Sequence, residues 1–219
     1  MLGLAIHTSS PQLGLMIQAL DDSVDSRHQV WDLGREVSSQ LHVKMLEFIA
    51  PQTWQDVSFV AVAKGPGGFT GTRIGVVAAR TLAQQLEIPL FGVSSLGAVA
   101  AEFLGSDISN AAQDIVVTMP AKREAVYGAI FRPDGKGDLQ VVRDEAVVPY
   151  REWESIVAQW QAQWQAQGHA IAEVKTEVGA GVAASVTGVM ALALARWQAG
   201  TRPEWGTVMP FYGQHPVHR

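Results

Sequence analysis

Cysteine is absent from the 219 residues. That absence removes disulfide scaffolds, thiolate zinc sites and cysteine nucleophiles together, and it fits a reducing compartment. Charge is scarce as well. Charged residues make up 17% of the chain, and the balance is acidic, with a formal net charge of −5 and a pI near 5.6. Nucleic-acid affinity comes largely from phosphates neutralised by Lys and Arg, and no basic stripe runs through this sequence. Any RNA it serves is therefore expected to be held by something else. Long apolar runs are also missing: Gly, Gln, Arg or Pro break them well short of the ~18 residues that a membrane helix needs. The opening MLGLAIHTSS carries no basic n-region and no small-residue cleavage site, so no secretory signal is expected. These absences together predict a soluble cytoplasmic protein with no membrane partner.

What is present is apolar and patterned. Hydrophobic residues make up 47% of the chain, enough to fill one large domain or two small ones packed together. Residues 2–6, 13–20 and 27–33 read as three strands joined by polar turns. The period then changes. Val37, Leu41, Met45, Phe48 and Ile49 recur at helical spacing until Pro51. Residues 57–63 (VSFVAVA) form a buried-type strand that runs into a glycine-rich stretch over 65–75, and a second helix follows to about Leu86. A strand at 89–93 and an apolar helix at 95–103 complete this half. After the small, polar stretch 105–114 the order restarts, with strands at 115–119, 125–132 and 139–148. An amphipathic helix bearing Trp153, Ile156, Val157, Trp160 and Trp164 comes next, and a nearly all-apolar helix at 183–197 ends the pattern. Two βββαβα halves, 1–104 and 105–219, predict a duplicated α/β fold with a cleft between its lobes.

One motif stands out: Lys64-Gly65-Pro66-Gly67-Gly68-Phe69-Thr70-Gly71-Thr72-Arg73-Ile74-Gly75, between a strand and a helix. Backbone N–H groups and the helix dipole can hold an anion at such a place. The block is not a P-loop, because no Gly-Lys-Ser/Thr stands at the required spacing. It also misses the dinucleotide fingerprint, because Thr70 occupies the third glycine position. Two readings fit the spacing: a phosphate-facing or partner-facing loop, or a tight turn whose glycines take positive φ. In the following helix Gly75, Ala79 and Ala83 form a stripe of small residues that lets a neighbour approach closely, either the helix 36–49 or another chain.

Catalytic and metal signals are thin. His7 ends the first strand, His42 has no second His at i+4, and His169, His215 and His218 sit in loop or tail sequence, so no metal site is expected. Asp21, Asp22 and Asp25 read as a solvated turn, and Glu102 and Asp107 flank a loop. Ser9 and Ser10 have no identifiable base, and no Gly-x-Ser-x-Gly elbow exists.

The start Leu4-Ala5-Ile6-His7-Thr8-Ser9-Ser10, the glycine block, and Pro89-Leu90-Phe91-Gly92-Val93-Ser94-Ser95-Leu96 together resemble the TsaB (YeaZ) family. The resemblance is strong over the first half. It continues more loosely through Ala121-Lys122-Arg123-Glu124-Ala125-Val126-Tyr127 and the late Pro210-Phe211-Tyr212. It implies an actin-like (ASKHA, ribonuclease H-like) fold of two lobes, the second reduced. It also implies a non-catalytic scaffold that pairs with a larger paralogue, TsaD, which carries the metal and the transfer chemistry. An ATPase, TsaE, belongs to the same system, whose product is threonylcarbamoyladenosine next to the anticodon of tRNAs reading codons that begin with A. On this resemblance the chain has no cofactor of its own, ATP and metal reside in partner subunits, tRNA is met only through the complex, and a homodimer forms when the partner is missing.

Family members pair through helices of the N-terminal lobe, so the expected partner-facing residues are Val37, Leu41, Met45, Ile49, Ile74, Gly75, Ala78, Ala79 and Ala83. Gly65, Pro66, Gly67, Gly68, Phe69, Thr70, Gly71 and Arg73 form the family loop. The chain departs from the family at His7, where Asp is frequent, and at Val37-Ser38-Ser39, where a His is frequent. It departs again at Pro120, in place of an Asp, and at Gln214, in place of a basic residue. The first three changes each remove a polar group that could serve a nucleotide or metal. They weigh against the alternative, an ATP-binding small-molecule kinase or ATPase with residues 65–71 on the phosphates, because such an enzyme needs an acid for Mg²⁺ where His7 stands.

Overall fold

In the computed structural model, which describes residues 1–21, 26–106, 113–166, 170–176, 181–211 and 213, β1 (Leu2–His7) is buried along its whole length. Both faces of this strand are covered. Leu2, Leu4 and Ile6 enter one hydrophobic cluster, and Ala5 enters another on the opposite side. β2 (Gln12–Ala19) returns antiparallel to β1, and β3 (Arg27–Asp32) forms the edge. α1 (Val37–Ile49) leads into β4 (Val57–Ala63), which runs parallel to β1. α2 (Phe69–Leu86), β5 (Leu90–Val93) and α3 (Ser95–Ser106) follow, giving a five-stranded sheet of order β3-β2-β1-β4-β5.

The second half repeats the plan with β6 (Gln113–Pro120), β7 (Ala125–Pro133), β8 (Leu139–Pro149), α4 (Tyr150–Gln165), β9 (Ala170–Lys175) and α5 (Val186–Gln198). Its four-stranded order, β8-β7-β6-β9, is the first sheet without a fifth strand. This is the duplicated actin-like, ribonuclease H-like fold with a reduced second lobe. β9 is the strand that the hydrophobic pattern did not predict: its six residues alternate only weakly and lie at the sheet edge.

The central helices trade sides. α5, from the second half, packs on β1, β2 and β4, whereas α3, from the first, packs on the second sheet and against α5. Their contact is close, since a Cβ on Gly188 would lie 1.9 Å from the Ala98 carbonyl oxygen. The expected division at 104/105 falls in the last turn of α3. Outside this sandwich, α4 covers the second sheet. Trp153 lies over Gly128 and donates its indole N–H to the Thr118 hydroxyl at 2.7 Å. Nearby, the buried Asp114 accepts from Arg132 Nε and Nη2, at 2.8 and 3.0 Å, and from the Trp160 indole at 3.2 Å.

α1 and α2 cover the free face of the first sheet. Arg27, on the edge strand, donates to the Phe48, Ile49 and Ala50 carbonyls at 2.8, 3.2 and 2.9 Å. These bonds satisfy the carbonyls that the end of α1 leaves open, and they pin that helix to the sheet. α2 begins at Phe69, earlier than the expected start after the glycine block. Gly71 and Gly75 are therefore helical residues, used for close approach: a Cβ at either would lie 2.1 Å from Thr8, at its carbonyl oxygen or its hydroxyl. Their helix-propensity cost, about 1 kcal/mol each, allows α2 to lie against the β1–β2 turn. Within the stripe Gly75 lies against Thr8, Ala79 and Ala83 join the cluster that also holds Leu41 and Met45 of α1, and α2 packs on β1, β4 and α1. No helix among the described residues is long and apolar enough to cross a membrane.

Candidate partner-docking groove

α1 and α2 carry more apolar surface than their own sheet consumes. The inward stripe, Leu41, Met45, Phe48 and Ile49 on α1 with Val76, Ala79 and Ala83 on α2, shares one cluster with residues of β1, β2 and β4, and Val37 at the start of α1 is also buried. A second apolar set points outward: Val43, Leu46, Phe69 and Val77 are 47%, 63%, 38% and 60% exposed. Between the helices runs an open groove of about 640 Å³. His42, Met45 and Trp54 line one wall, Phe69, Arg73, Ile74 and Val77 the other, and Ala78 contributes to the lining.

The expected partner-facing residues divide in two. Met45, Ile74 and Ala78 line the groove. Val37, Leu41, Ile49, Gly75, Ala79 and Ala83 are buried in the lobe interior and cannot present a surface to another chain, because the sheet needs them as its cover. The accessible face of the same two helices consists of Val43, Leu46 and Val77, with Phe69, Thr70 and Arg73 at one end. A signal for these was in the sequence: Val43 and Leu46 are apolar but fall off the 37/41/45/48 stripe, so α1 is apolar on more than one side.

The glycine block also divides. Phe69, Thr70, Gly71 and Arg73 belong to α2, and Phe69, Thr70 and Arg73 line the groove. Gly65, Pro66, Gly67 and Gly68 form the turn before it. Gly65 has φ +103° and its carbonyl accepts the Ser95 N–H at 2.8 Å. Gly67 has φ +157°, and a Cβ there would lie 2.2 Å from the Ser9 carbonyl oxygen, which accepts the Gly68 N–H at 2.6 Å. The Thr8 hydroxyl donates to the Gly71 carbonyl at 2.8 Å. The Phe211 N–H donates to the Lys64 carbonyl at 2.7 Å, which lays the late segment beside Gly65. This turn is thus bound to the β1–β2 connection, to α3 and to the chain's own late segment.

At the end of β1, His7 is fully buried, and desolvation lowers its pKa from 6.5 to about 3. Its Nδ1 accepts the Ser9 N–H at 3.3 Å, so the neutral ring carries its proton on Nε2, which has no partner among the described residues. On β8, burial raises the Glu145 pKa, while the Ser94 hydroxyl, which donates to this carboxylate, and the Lys64 charge act in the other direction. Among the described residues, no group of three or more His, Asp and Glu could hold a metal ion. His42 is exposed in the groove, and Asp21 binds the N-terminal amine at 3.4 Å. Glu102 is exposed near the end of α3 and Pro120 ends β6. Asp22, Asp25, Asp107, His169, Tyr212, Gln214, His215 and His218 lie outside the described residues.

The family model described as TsaD, tRNA N6-adenosine threonylcarbamoyltransferase, matches residues 42–196. The tRNA threonylcarbamoyladenosine biosynthesis protein TsaB of Bacillus subtilis is 34% identical over 145 residues, covering 66% of this chain and 61% of that protein. The protein of the same name from Escherichia coli is 32% identical over 118 residues, covering 49% and 50%. A solved structure of YeaZ from Pseudomonas aeruginosa superimposes with a TM-score of 0.74 over 96% of this chain and 99% of that one, at 20% identity. That likeness speaks for the fold alone. The chain spans about half to three-fifths of the length of the curated relatives it matches.

Proposed function

The chain belongs to the tRNA N6-adenosine threonylcarbamoyltransferase family, among its TsaB (YeaZ) members, and from that membership we propose that it is the non-catalytic partner of a TsaD-type catalytic subunit in making threonylcarbamoyladenosine on tRNA. One observation carries the pairing: the outward face of α1 and α2 exposes Val43, Leu46 and Val77 beside an apolar groove. Covering such a face stabilises an assembly by roughly 25 cal/mol per Å² of apolar area removed from water. A TsaD-type subunit is a homologous chain, so it is expected to present a related helix pair. Two such pairs can pack about a pseudo-two-fold axis, ridges into grooves. In the partner's absence a second copy of this chain takes that place.

The chemistry then resides in the partners. ATP and metal belong to the TsaD-type subunit and a TsaE-type ATPase, and tRNA is held by the assembly, in keeping with a net charge of −5 here. The ATPase reading of this chain needs a carboxylate for Mg²⁺ at the end of β1. His7, neutral and buried, does not supply it. Light scattering on size-exclusion peaks, with the chain alone and mixed with the TsaD-type subunit of the same genome, tests the proposal. A heterodimer mass replacing any self-dimer is the expected result; separate elution, with or without ATP and the ATPase subunit, contradicts it.

A further inference from the structure

We infer that the partner seated in the groove carries an acidic side chain against Arg73, and that this pairing selects the TsaD-type subunit over a second copy of the chain. The inference rests on the pairing proposed above and concerns its selectivity. Arg73 lies in the groove wall, on the exposed side of α2, with its guanidinium 5.3 Å from the centroid of the Phe69 ring. Among the described residues it enters no ion pair. The rest of the lining is apolar or uncharged apart from His42, and it contains no Asp or Glu.

Docking an apolar surface here strips water from Arg73. A guanidinium so enclosed is costly unless a carboxylate meets it, and in the water-poor groove that meeting is worth more than on open surface. The Phe69 ring already orients the planar fork, so less conformational freedom is lost when a carboxylate arrives. The groove lining of a second copy does not bring that group. Across a two-fold axis the same patch faces itself, and this patch holds Arg73 and His42 without an acid. Glu47, the one acid inside α1, is held by Lys44 at 2.7 Å, while Glu36 and Glu87 lie outside the two helices, before α1 and after α2. A self-dimer through this groove therefore buries Arg73 unpaired or beside its own copy. An acidic partner residue removes that penalty and leaves a selective complex.

Titration calorimetry of the full chain with the TsaD-type subunit, at low and at moderate salt, tests this, with Arg73→Gln and Arg73→Glu compared with the parent and folding checked by circular dichroism. Arg73→Gln is expected to weaken hetero-pairing about tenfold or more and Arg73→Glu about a hundredfold, with a flatter salt dependence in Arg73→Gln. Self-association of Arg73→Gln, followed by sedimentation, is expected to stay the same or tighten. If Arg73→Glu pairs within about twofold of the parent, or if self-association is lost in parallel with hetero-pairing, the acidic-partner inference is overturned while the pairing itself stands. If the parent chain does not bind the subunit at all, the pairing fails, and this inference with it.

Discussion

The two sheets finish their outer layers differently. α4 covers the second sheet with one apolar side, anchored by Trp153 and Val157, and turns Glu152, Glu154, Gln159 and Gln163 to solvent. α1 and α2 cover the first sheet just as fully, yet their outward side still shows Val43, Leu46 and Val77. Large exposed apolar patches mark interaction sites, whereas apolar residues scattered singly need no explanation. The same fold plan, used twice in one chain, leaves Val43, Leu46 and Val77 exposed on the covering helices of one half and Tyr150 alone, at its first residue, on the covering helix of the other.

Two substitutions only two positions apart on α2 break the comparison most sharply. Ala79 is fully buried against the sheet, so Ala79→Glu forces a charge and excess volume into the lobe interior and is expected to destabilise by on the order of 4 kcal/mol or more. Denaturant unfolding reads this effect, and any loss of pairing in that variant reports unfolding. Val77 is 60% exposed. Val77→Asp should leave stability within about 0.5 kcal/mol while weakening pairing about a hundredfold, as light scattering across a concentration series would measure. Pairing that survives Val77→Asp contradicts the assignment of the open face.

The finished side supplies the control. Trp153→Phe leaves the Thr118 hydroxyl without its indole partner and should cost about 1–2 kcal/mol of folding stability. Thermal melting checks that cost, and pairing at a temperature where both proteins are folded should not change. The smallest effect at neutral pH concerns His7. Burial lowers its pKa from 6.5 to about 3, so on acidification the unfolded chain takes up this proton first and stability falls as the pH drops through that window. At about pH 5 the loss attributable to this ring is about 2 kcal/mol. The lowered pKa of Asp56 adds a loss of the same sign, whereas the raised pKa values of Glu102 and Glu145 oppose it. The informative quantity is therefore the flatter pH slope of His7→Asn relative to the parent in urea unfolding.

Much of this architecture can be read from hydrophobic period alone. VSFVAVA is β4 from its first residue to its last, and the repeated order of elements in the two halves became two sheets of matching strand order. Two features escaped for physical reasons. The start of α2 was hidden because Gly71 and Gly75 look like loop residues in sequence, yet they are there so that Thr8 can touch the helix. The direction of the apolar residues was hidden because a stripe at 37, 41, 45 and 49 serves equally for a sheet below or a partner above; only the sheet's position shows that it is already covered. What remains outward, Val43, Leu46 and Val77, is the off-stripe remainder.

Hydrogen exchange of this chain, alone and saturated with the TsaD-type subunit, reports directly whether the outward side of α1 and α2 is what a partner covers. Slowed exchange is expected along α1 and α2, centred on residues 42–46 and 69–85, with α4 unchanged. Slowing on α4, or none on α1 and α2 in a mixture shown to be complexed, contradicts that assignment.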